Sequence, residues 1–342
     1  MFLKQSRLDI IAPSLGRRFS GINASMMAVI PEQAKLTNIT GLGFNLDADK
    51  IPVITFKQFL FGCWRDKWRI WHARRNIEML VGIILKYIFR YKLILVFTTA
   101  GARKRSSIQK FYCSKMQAII PVSKIAAFRF DEKLEIVYHG VDIKKFYPLQ
   151  QKQINSKIGI FGRVKQSKGV EEFIDAMIEV LPSNPKWTAH IYGETITKNN
   201  DFESVLREKI EKMGLEHRII FEGFVKFEQA PSCYRELDIV VCPSYTEGFG
   251  LPCLEAMASK CAVVATKTGV WKEIIEQGKN GYLVDTKSSE QIAEKLEILM
   301  NDDELRKQIA QNGYDLVTSK YKIENEAEGI QRIYDRLLAE KS

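Results

Sequence analysis

DIVVCPSYTEGFGLPCLEAMA, residues 238–258, changes period in its middle. Ile239, Val240 and Val241 form a short β-branched run of the kind that fills a buried strand. Gly248 and Gly250 then open a loop in which the backbone can approach a ligand closely. Pro252 suits a first helical turn, where a missing N–H costs little. The spacing predicts a helix over 250–259, whose unpaired N–H groups form an anion site. Glu247 sits in the loop, and Glu255 lies in the helix with its side chain leaning back toward the N-terminus. Ionised carboxylates only accept hydrogen bonds. Two of them flanking a glycine-rich anion site suit a ligand with hydroxyls at both ends and phosphates between, the form of a nucleotide sugar. Phe249 and Leu251 complete the expected ligand-facing set. The competing reading is a helix with an acidic cap and an ordinary exposed glutamate.

A second strand–loop–helix lies upstream in IFGRVKQSKGVEEF (160–173). Gly162 and Arg163 follow the strand, and Lys168 precedes the helix. Arginine offers a planar fork to phosphate oxygens and lysine a mobile point charge. Two cations at the end of the first strand of a domain would neutralise a diphosphate. The alternative is a basic surface loop.

The same alternation runs through the chain. Strand candidates are 8–13, 38–44, 51–56, 70–72, 93–99, 118–123 and 135–140, then 157–163, 187–193, 218–223, 238–244, 261–266 and 281–285. Helical patterns separate many of them, at 22–35, 75–90, 170–181, 202–213, 250–259 and 288–300. Near-continuous β-branched strands alternating with helices predict parallel sheets covered on both faces. The polar, aperiodic PLQQKQINSK (148–157) reads as a linker. The expectation is an α/β protein with two doubly wound, Rossmann-like domains facing a cleft. They are residues 1–150, joined by a C-terminal helix within 323–342, and residues 155–322.

Apolar residues make up 46% and charged residues 27%, which excludes wholesale disorder and collagen-like repeats. The net charge of +10 is local: Lys57–Lys110 holds 13 basic residues against Asp66 and Glu78, leaving the rest of the chain at −1. Trp64, Trp68, Trp71, Phe89 and Tyr91 interleave with these charges, a mixture that suits a membrane interface or an acidic substrate. No nucleic-acid-binding motif accompanies it, so no nucleic-acid partner is expected. The six cysteines are scattered without a Cys-x-x-Cys pair, so zinc is not expected and a reducing compartment is. The opening MFLKQSRLDIIAP lacks the apolar core of a signal peptide. The most apolar stretch, 79–97, is broken by Lys86, Arg90 and Lys92, short of the ~18 uninterrupted apolar residues of a spanning helix.

Together, the two loop segments resemble the retaining GT-B glycosyltransferases of family 4. That family carries a Glu-x₇-Glu element, here Glu247 and Glu255, and an upstream Gly-Arg…Lys-Gly element, here Gly162, Arg163, Lys168 and Gly169. YHGVDIKKFYP (138–148) looks like its interdomain segment, with His139 where Asn is commoner. The resemblance implies that Arg163 and Lys168 hold a diphosphate, Glu247 the hexose hydroxyls and Glu255 the ribose.

The first half resembles bacterial lipopolysaccharide core mannosyltransferases through APSLGRRFSGI (12–22), IWHARRNIEML (70–80) and LVFTTAGARKRSS (95–107). This implies transfer of mannose from GDP-mannose to the Kdo region of the inner core on lipid A. The expected partners are a nucleotide sugar, an anionic lipid-linked acceptor and the cytoplasmic face of the membrane, on which a cytoplasmic protein would rest peripherally. No cofactor and no metal are expected. The family's glycine-rich first loop is reduced to Ser20-Gly21 beside Arg17 and Arg18. The acceptor set is Arg17, Arg18, Ser20, Gly21, His72, Arg74, Arg75, Arg103, Lys104 and Arg105. His72, at the end of a strand candidate, is expected to line the reacting centre, though a lone histidine can equally be a satisfied core residue. A UDP-sugar-dependent transferase and a non-catalytic polyanion binder are the competing readings. Asp47-Ala48-Asp49 has the form of a metal-binding pair but lies far from the donor elements, so chance explains it better. Asn301-Asp302-Asp303 reads as a helix N-cap.

Overall fold

The computed structural model describes residues 8–17, 20–62, 64–101, 106–128, 130, 134–149, 154–195 and 200–341. The chain divides into two units, one running to Gly140 and resuming at Ile323, the other spanning Val141–Lys322. In the first unit the strands are β1 (Ile10–Ser14), β2 (Ile39–Gly43), β3 (Val53–Ile54), β4 (Arg69–Ala73), β5 (Leu93–Thr99) and β6 (Ala118–Pro121). In the second they are β7 (Lys157–Phe161), β8 (Thr188–Tyr192), β9 (Ile219–Gly223), β10 (Ile239–Cys242), β11 (Ala262–Thr266) and β12 (Tyr282–Val284). Both sheets are parallel, ordered β3-β2-β1-β4-β5-β6 and β12-β11-β10-β7-β8-β9. Each is doubly wound, with its strand order reversing between its first and fourth strands, the place where such sheets bind ligands.

Side-chain alternation explains why the strands read as continuous apolar runs. In β5, Ile94 and Val96 enter the core beneath the helices Gly21–Leu36 and Ile323–Ala339, packing with Met26, Ile30, Ile330 and Ile333. Leu93, Leu95 and Phe97 enter the opposite core with Trp64, Trp71 and Phe59. Both faces are buried, so neither can be polar. In the second unit Phe173, Ile174 and Met177 of the helix Val170–Val180 pack with Leu296 and Leu299 of the helix Ser289–Asn301 over β7 and β10. Asp302 caps the helix Asp303–Lys320 by accepting from Leu305 N–H at 2.9 Å.

Three expectations are corrected. Residues 135–140 form no strand; the Glu326 carboxylate accepts from Gly140 N–H at 2.8 Å and pairs with His139 at 2.7 Å, which satisfies this backbone without a sheet. The stretch 51–56 keeps only the two-residue β3, because Pro52 offers no N–H and Thr55 instead caps the helix Phe56–Leu60, accepting from Gln58 N–H at 3.1 Å. The unit boundary falls at Gly140/Val141 rather than within 148–157. Val141 N–H donates to Tyr321 O at 2.8 Å inside the second unit, and Asn155 and Lys157 N–H donate to the Asp238 carboxylate there.

No helix among the described residues is long and apolar enough to cross a membrane. The basic stretch is not one solvated face. Arg69 is buried, bonded to Asp66 at 2.6 Å and to Leu8 O at 3.0 Å, because it opens a strand covered on both sides. Arg74 and Arg75 follow the end of that strand, while Lys57, Arg65, Arg90, Lys92 and Lys110 are exposed.

Candidate functional site

In the second unit, the loops after β7 and β10 meet where the strand order reverses. Lys168 ends a short 3₁₀ turn, Gln166–Lys168, and its Nζ lies 2.6 Å from the Glu247 carboxylate. Gly162 carries the chain out of β7, and the next residue, Arg163, is exposed without a hydrogen bond or ion pair among the described residues. Gly169 is required at the loop contact. Its φ is +71°, and a Cβ there would stand 2.2 Å from Pro243 O. Tyr245 N–H donates to Ser167 O at 3.1 Å, and Thr266 of β11 donates to Ser244 O at 2.6 Å, lacing three strand ends together.

The helix Leu251–Ala258 begins at Gly250, whose φ is +98°. Trp271 Nε1 donates to Gly250 O at 3.0 Å, and a Cβ on Gly250 would strike that indole at 2.3 Å. Pro252 occupies the first turn, and Leu251 and Gly248 are partly exposed beside Glu247. Phe249 departs from expectation. At 4% exposure it packs inward, since an aromatic ring is worth more in the core than beside phosphates. Glu255 accepts a hydrogen bond from Tyr234 Oη at 2.9 Å, and Tyr234 stacks on Phe161 at the end of β7, their rings 3.8 Å apart. Besides its own burial, the Cys242 thiol at the end of β10 feels the charges of Glu247, Lys168 and Glu255. The structure therefore gathers the expected donor residues on the loops after the adjacent strands β7 and β10, apart from the Phe249 side chain.

In the first unit the corresponding reversal lies between β1 and β4. Glu78, fully buried, organises it: its carboxylate accepts from Leu15 N–H at 3.2 Å, Arg74 N–H at 2.8 Å, Arg75 N–H at 2.9 Å and Arg75 Nη1 at 2.8 Å. Arg75 also donates to Ser20 Oγ at 3.2 Å and Asn23 Oδ1 at 2.7 Å, and Asn23 donates to Ser14 Oγ at 3.0 Å. Ser20 caps the helix that begins at Gly21. Arg17 is exposed. Arg18, Arg103, Lys104 and Arg105 lie outside the described residues.

His72 is corrected. It is completely buried, with Nε2 2.6 Å from Thr98 Oγ1 and Nδ1 bonded to Tyr334 Oη of the C-terminal helix. Burial, with the Arg74 charge, holds its pKa well below the usual histidine value, so it stays neutral. Both ring nitrogens are used inside the unit, and neither is free to orient an acceptor hydroxyl. Arg75 is likewise engaged by Glu78, Ser20 and Asn23.

Asp47 receives Asp49 N–H at 3.1 Å and pairs with Lys50 at 3.2 Å, an ordinary turn. No cluster of three metal-ligating His, Cys, Asp or Glu side chains occurs among the described residues.

Residues 145–316 match the family model for glycosyl transferases group 1. The lipopolysaccharide core biosynthesis mannosyltransferase LpcC of Rhizobium leguminosarum bv. viciae is 35% identical over 97% of this chain and 97% of its own. The chain belongs to the group 1 glycosyltransferases. The C-terminal domain of an LpcC glycosyl transferase from Francisella tularensis is 54% identical, covering 54% of this chain and 100% of that one, with a TM-score of 0.52. The Anabaena protein HepE, in complex with UDP, is 20% identical across 96% of this chain and 100% of its own. Its TM-score of 0.82 places both in the GT-B fold.

Three residues of this glycosyltransferase escaped the sequence reading. Glu78 was visible only as one of two acids in a basic stretch. Tyr334 lies in the C-terminal helical pattern and Tyr234 between two strand candidates, and both are indistinguishable from core until their hydroxyls are placed. Glu255 carries a testable consequence. Burial raises its pKa from the ordinary 4.5 to about 7, while the Tyr234 bond opposes the rise. A carboxyl whose pKa is raised on folding contributes most below its unfolded value, and that contribution is lost as pH rises through the folded value. Wild-type stability is expected to fall between about pH 4.5 and 7 relative to Glu255→Gln, as measured by urea denaturation across that range. Parallel pH profiles would contradict it.

Proposed function

We propose that this glycosyltransferase moves mannose from GDP-mannose to the Kdo region of the lipopolysaccharide inner core, with retention and without a metal. The observation that carries the reading is the grouping at one strand-order reversal of Arg163 two residues beyond β7, the Lys168–Glu247 pair, and Glu255, joined through Tyr234 to Phe161 at the end of β7. Arg163 and Lys168 take the diphosphate, with Gly162 and the loop Gly248–Leu251 lining it. Glu255 accepts from the ribose and Glu247 from the hexose. Catalysis rests on positioning and on charge stabilisation of the departing diphosphate. The acceptor hydroxyl attacks the face the diphosphate leaves. The choice of mannose and of lipopolysaccharide core is supported by the name of the LpcC relative, which aligns over nearly the whole chain. Arg17, Arg18, Ser20, Gly21, Arg103, Lys104 and Arg105 form the acceptor side. Residence on the inner face of the membrane is supported by exposed Phe61, Ile88, Phe111 and Phe128 in a unit that also exposes Lys57, Arg90 and Lys110.

The test is a thermal-shift panel of GDP, UDP, ADP, GDP-mannose and UDP-glucose in the presence of EDTA. A ligand that binds the native state raises Tm according to how far its concentration exceeds Kd. GDP and GDP-mannose are expected to raise Tm, and the uridine and adenosine compounds to leave it unchanged. A shift with the UDP compounds alone would overturn mannose from GDP-mannose. A shift that appears only when divalent metal replaces EDTA would overturn metal independence.

A further inference from the structure

Three arginines are buried among the described residues, Arg69, Arg74 and Arg306. Arg69 is neutralised by Asp66. Arg306 pairs with Asp303 at 2.7 Å and donates to Leu299 O at 2.6 Å. Arg74 has neither kind of partner. At 9% exposure its guanidinium forms no hydrogen bond or ion pair with any described residue, and Nη1 is a fully buried donor without an acceptor. A buried charge left unpaired is costly, several kcal/mol in typical cases. A well-packed protein retains such a group where a ligand completes it.

The position supports this. Ile70, His72 and Arg74 alternate with Trp71 and Ala73, so Arg74 continues the side of β4 that faces the C-terminal helix. It stands just beyond the strand, where the strand order reverses. Its charge reaches His72 and Tyr334, which are bonded to each other. Gln33 donates to Tyr334 Oη at 3.4 Å, and its own Oε1 is buried without a partner. These neighbours are all neutral. The nearby carboxylate of Glu78 is taken up by Leu15, Arg75 and the Arg74 main chain. Among the described residues, then, Arg74 is a fixed cation with no counter-charge, and we take that charge to come from a ligand.

We propose that Arg74 recognises an acidic group of the acceptor, its planar fork gripping a carboxylate or phosphate as sugar transfer is set up. This rests on the acidic lipid-linked acceptor proposed above. The donor diphosphate already has Arg163 and Lys168 in the other unit. Tyr334 and His72 act as positioning residues that hold the surroundings of the guanidinium neutral.

The test is direct binding by titration calorimetry of Kdo–lipid A in micelles, of its carboxyl methyl ester and of the dephosphorylated lipid. Wild type, Arg74→Gln and Arg74→Lys are compared, with GDP titrated in parallel. Wild type is expected to prefer the intact acceptor over whichever derivative lacks the recognised group. Arg74→Gln is expected to lose that preference, a roughly 10–100-fold weakening for one charge-assisted contact. Arg74→Lys recovers part of it, and GDP affinity stays unchanged. Because an unpaired charge is removed, the Tm of Arg74→Gln is expected to equal or exceed that of wild type. An unchanged preference in Arg74→Gln, no preference in wild type, or a large drop in Tm would overturn the proposal. A loss of GDP affinity with acceptor binding intact would assign the guanidinium to the diphosphate instead. Absence of mannose transfer by wild type in a parallel assay would refute the proposed function, while the binding ratios would still decide the role of Arg74.

Discussion

Lys168→Ala is expected to lower kcat for sugar transfer by roughly 10²–10³-fold, the typical loss when one charge-stabilising donor is removed from a transition state. The lysine ends a three-residue 3₁₀ turn beside Gly169, which approaches Pro243 closely, and its Nζ is paired with the Glu247 carboxylate at 2.6 Å. On the proposed reading the departing diphosphate gains negative charge, and Lys168 at the end of β7 is the cation that would answer it. The Lys168–Glu247 pair is partly exposed, with side chains 25% and 19% accessible, so its loss costs at most about 1 kcal/mol of stability. Activity and stability therefore separate: kcat collapses while Tm moves by a few degrees. Lys168→Arg restores the charge but not the point geometry, and should recover only part of the rate. Steady-state kinetics beside a thermal melt checks the prediction. A variant that keeps more than a third of wild-type kcat would remove Lys168 from the reacting centre.

The second large effect is structural. Glu78→Ala removes one fully buried carboxylate, leaves three main-chain N–H groups without their acceptor and takes the counter-charge from the largely buried Arg75, whose guanidinium keeps only Ser20 and Asn23. Leaving a buried charge unpaired costs about 3–5 kcal/mol, and each orphaned donor adds to that. Among the described residues the loops after β1 and β4 are tied through this side chain and Arg75, so their joint arrangement is expected to go with it. Trp71 Nε1 donates to Glu78 O at 2.8 Å, which makes tryptophan fluorescence a local reporter. In urea the first transition of Glu78→Ala should shift by well over 1 M. Glu78→Gln should be milder yet still destabilised, because an amide brings donors where only acceptors fit. A shift within error for both would show that water replaces the carboxylate at no cost.

Much of this protein was legible in the linear chain. Parallel strands buried on both faces leave their mark as β-branched runs, and LILVFTT (93–99) is β5 residue for residue. The glycine and proline at 250 and 252 mark a helix start because only certain backbones tolerate those angles. Cations two and seven residues beyond β7 must lie near the end of that strand, since the chain has no length to go elsewhere. These are local constraints, and local constraints are written in local sequence.

What the sequence left open were facts of partnership. His72 reads as a strand-end histidine open to either a site or a core role until Tyr334, 262 residues away, bonds to it. Arg74 and Arg75 are neighbours of one type, yet Glu78 and Asn23 engage one guanidinium, while the other has no partner among the described residues. The unit boundary turned on Gly140 donating to Glu326 and Val141 to Tyr321, bonds that link distant parts of the chain. Period, propensity and turn chemistry act over a few residues and belong to the sequence. Burial and charge pairing act across space, and only the tertiary structure decides which side chains spend their charge on the fold and which keep it for a ligand.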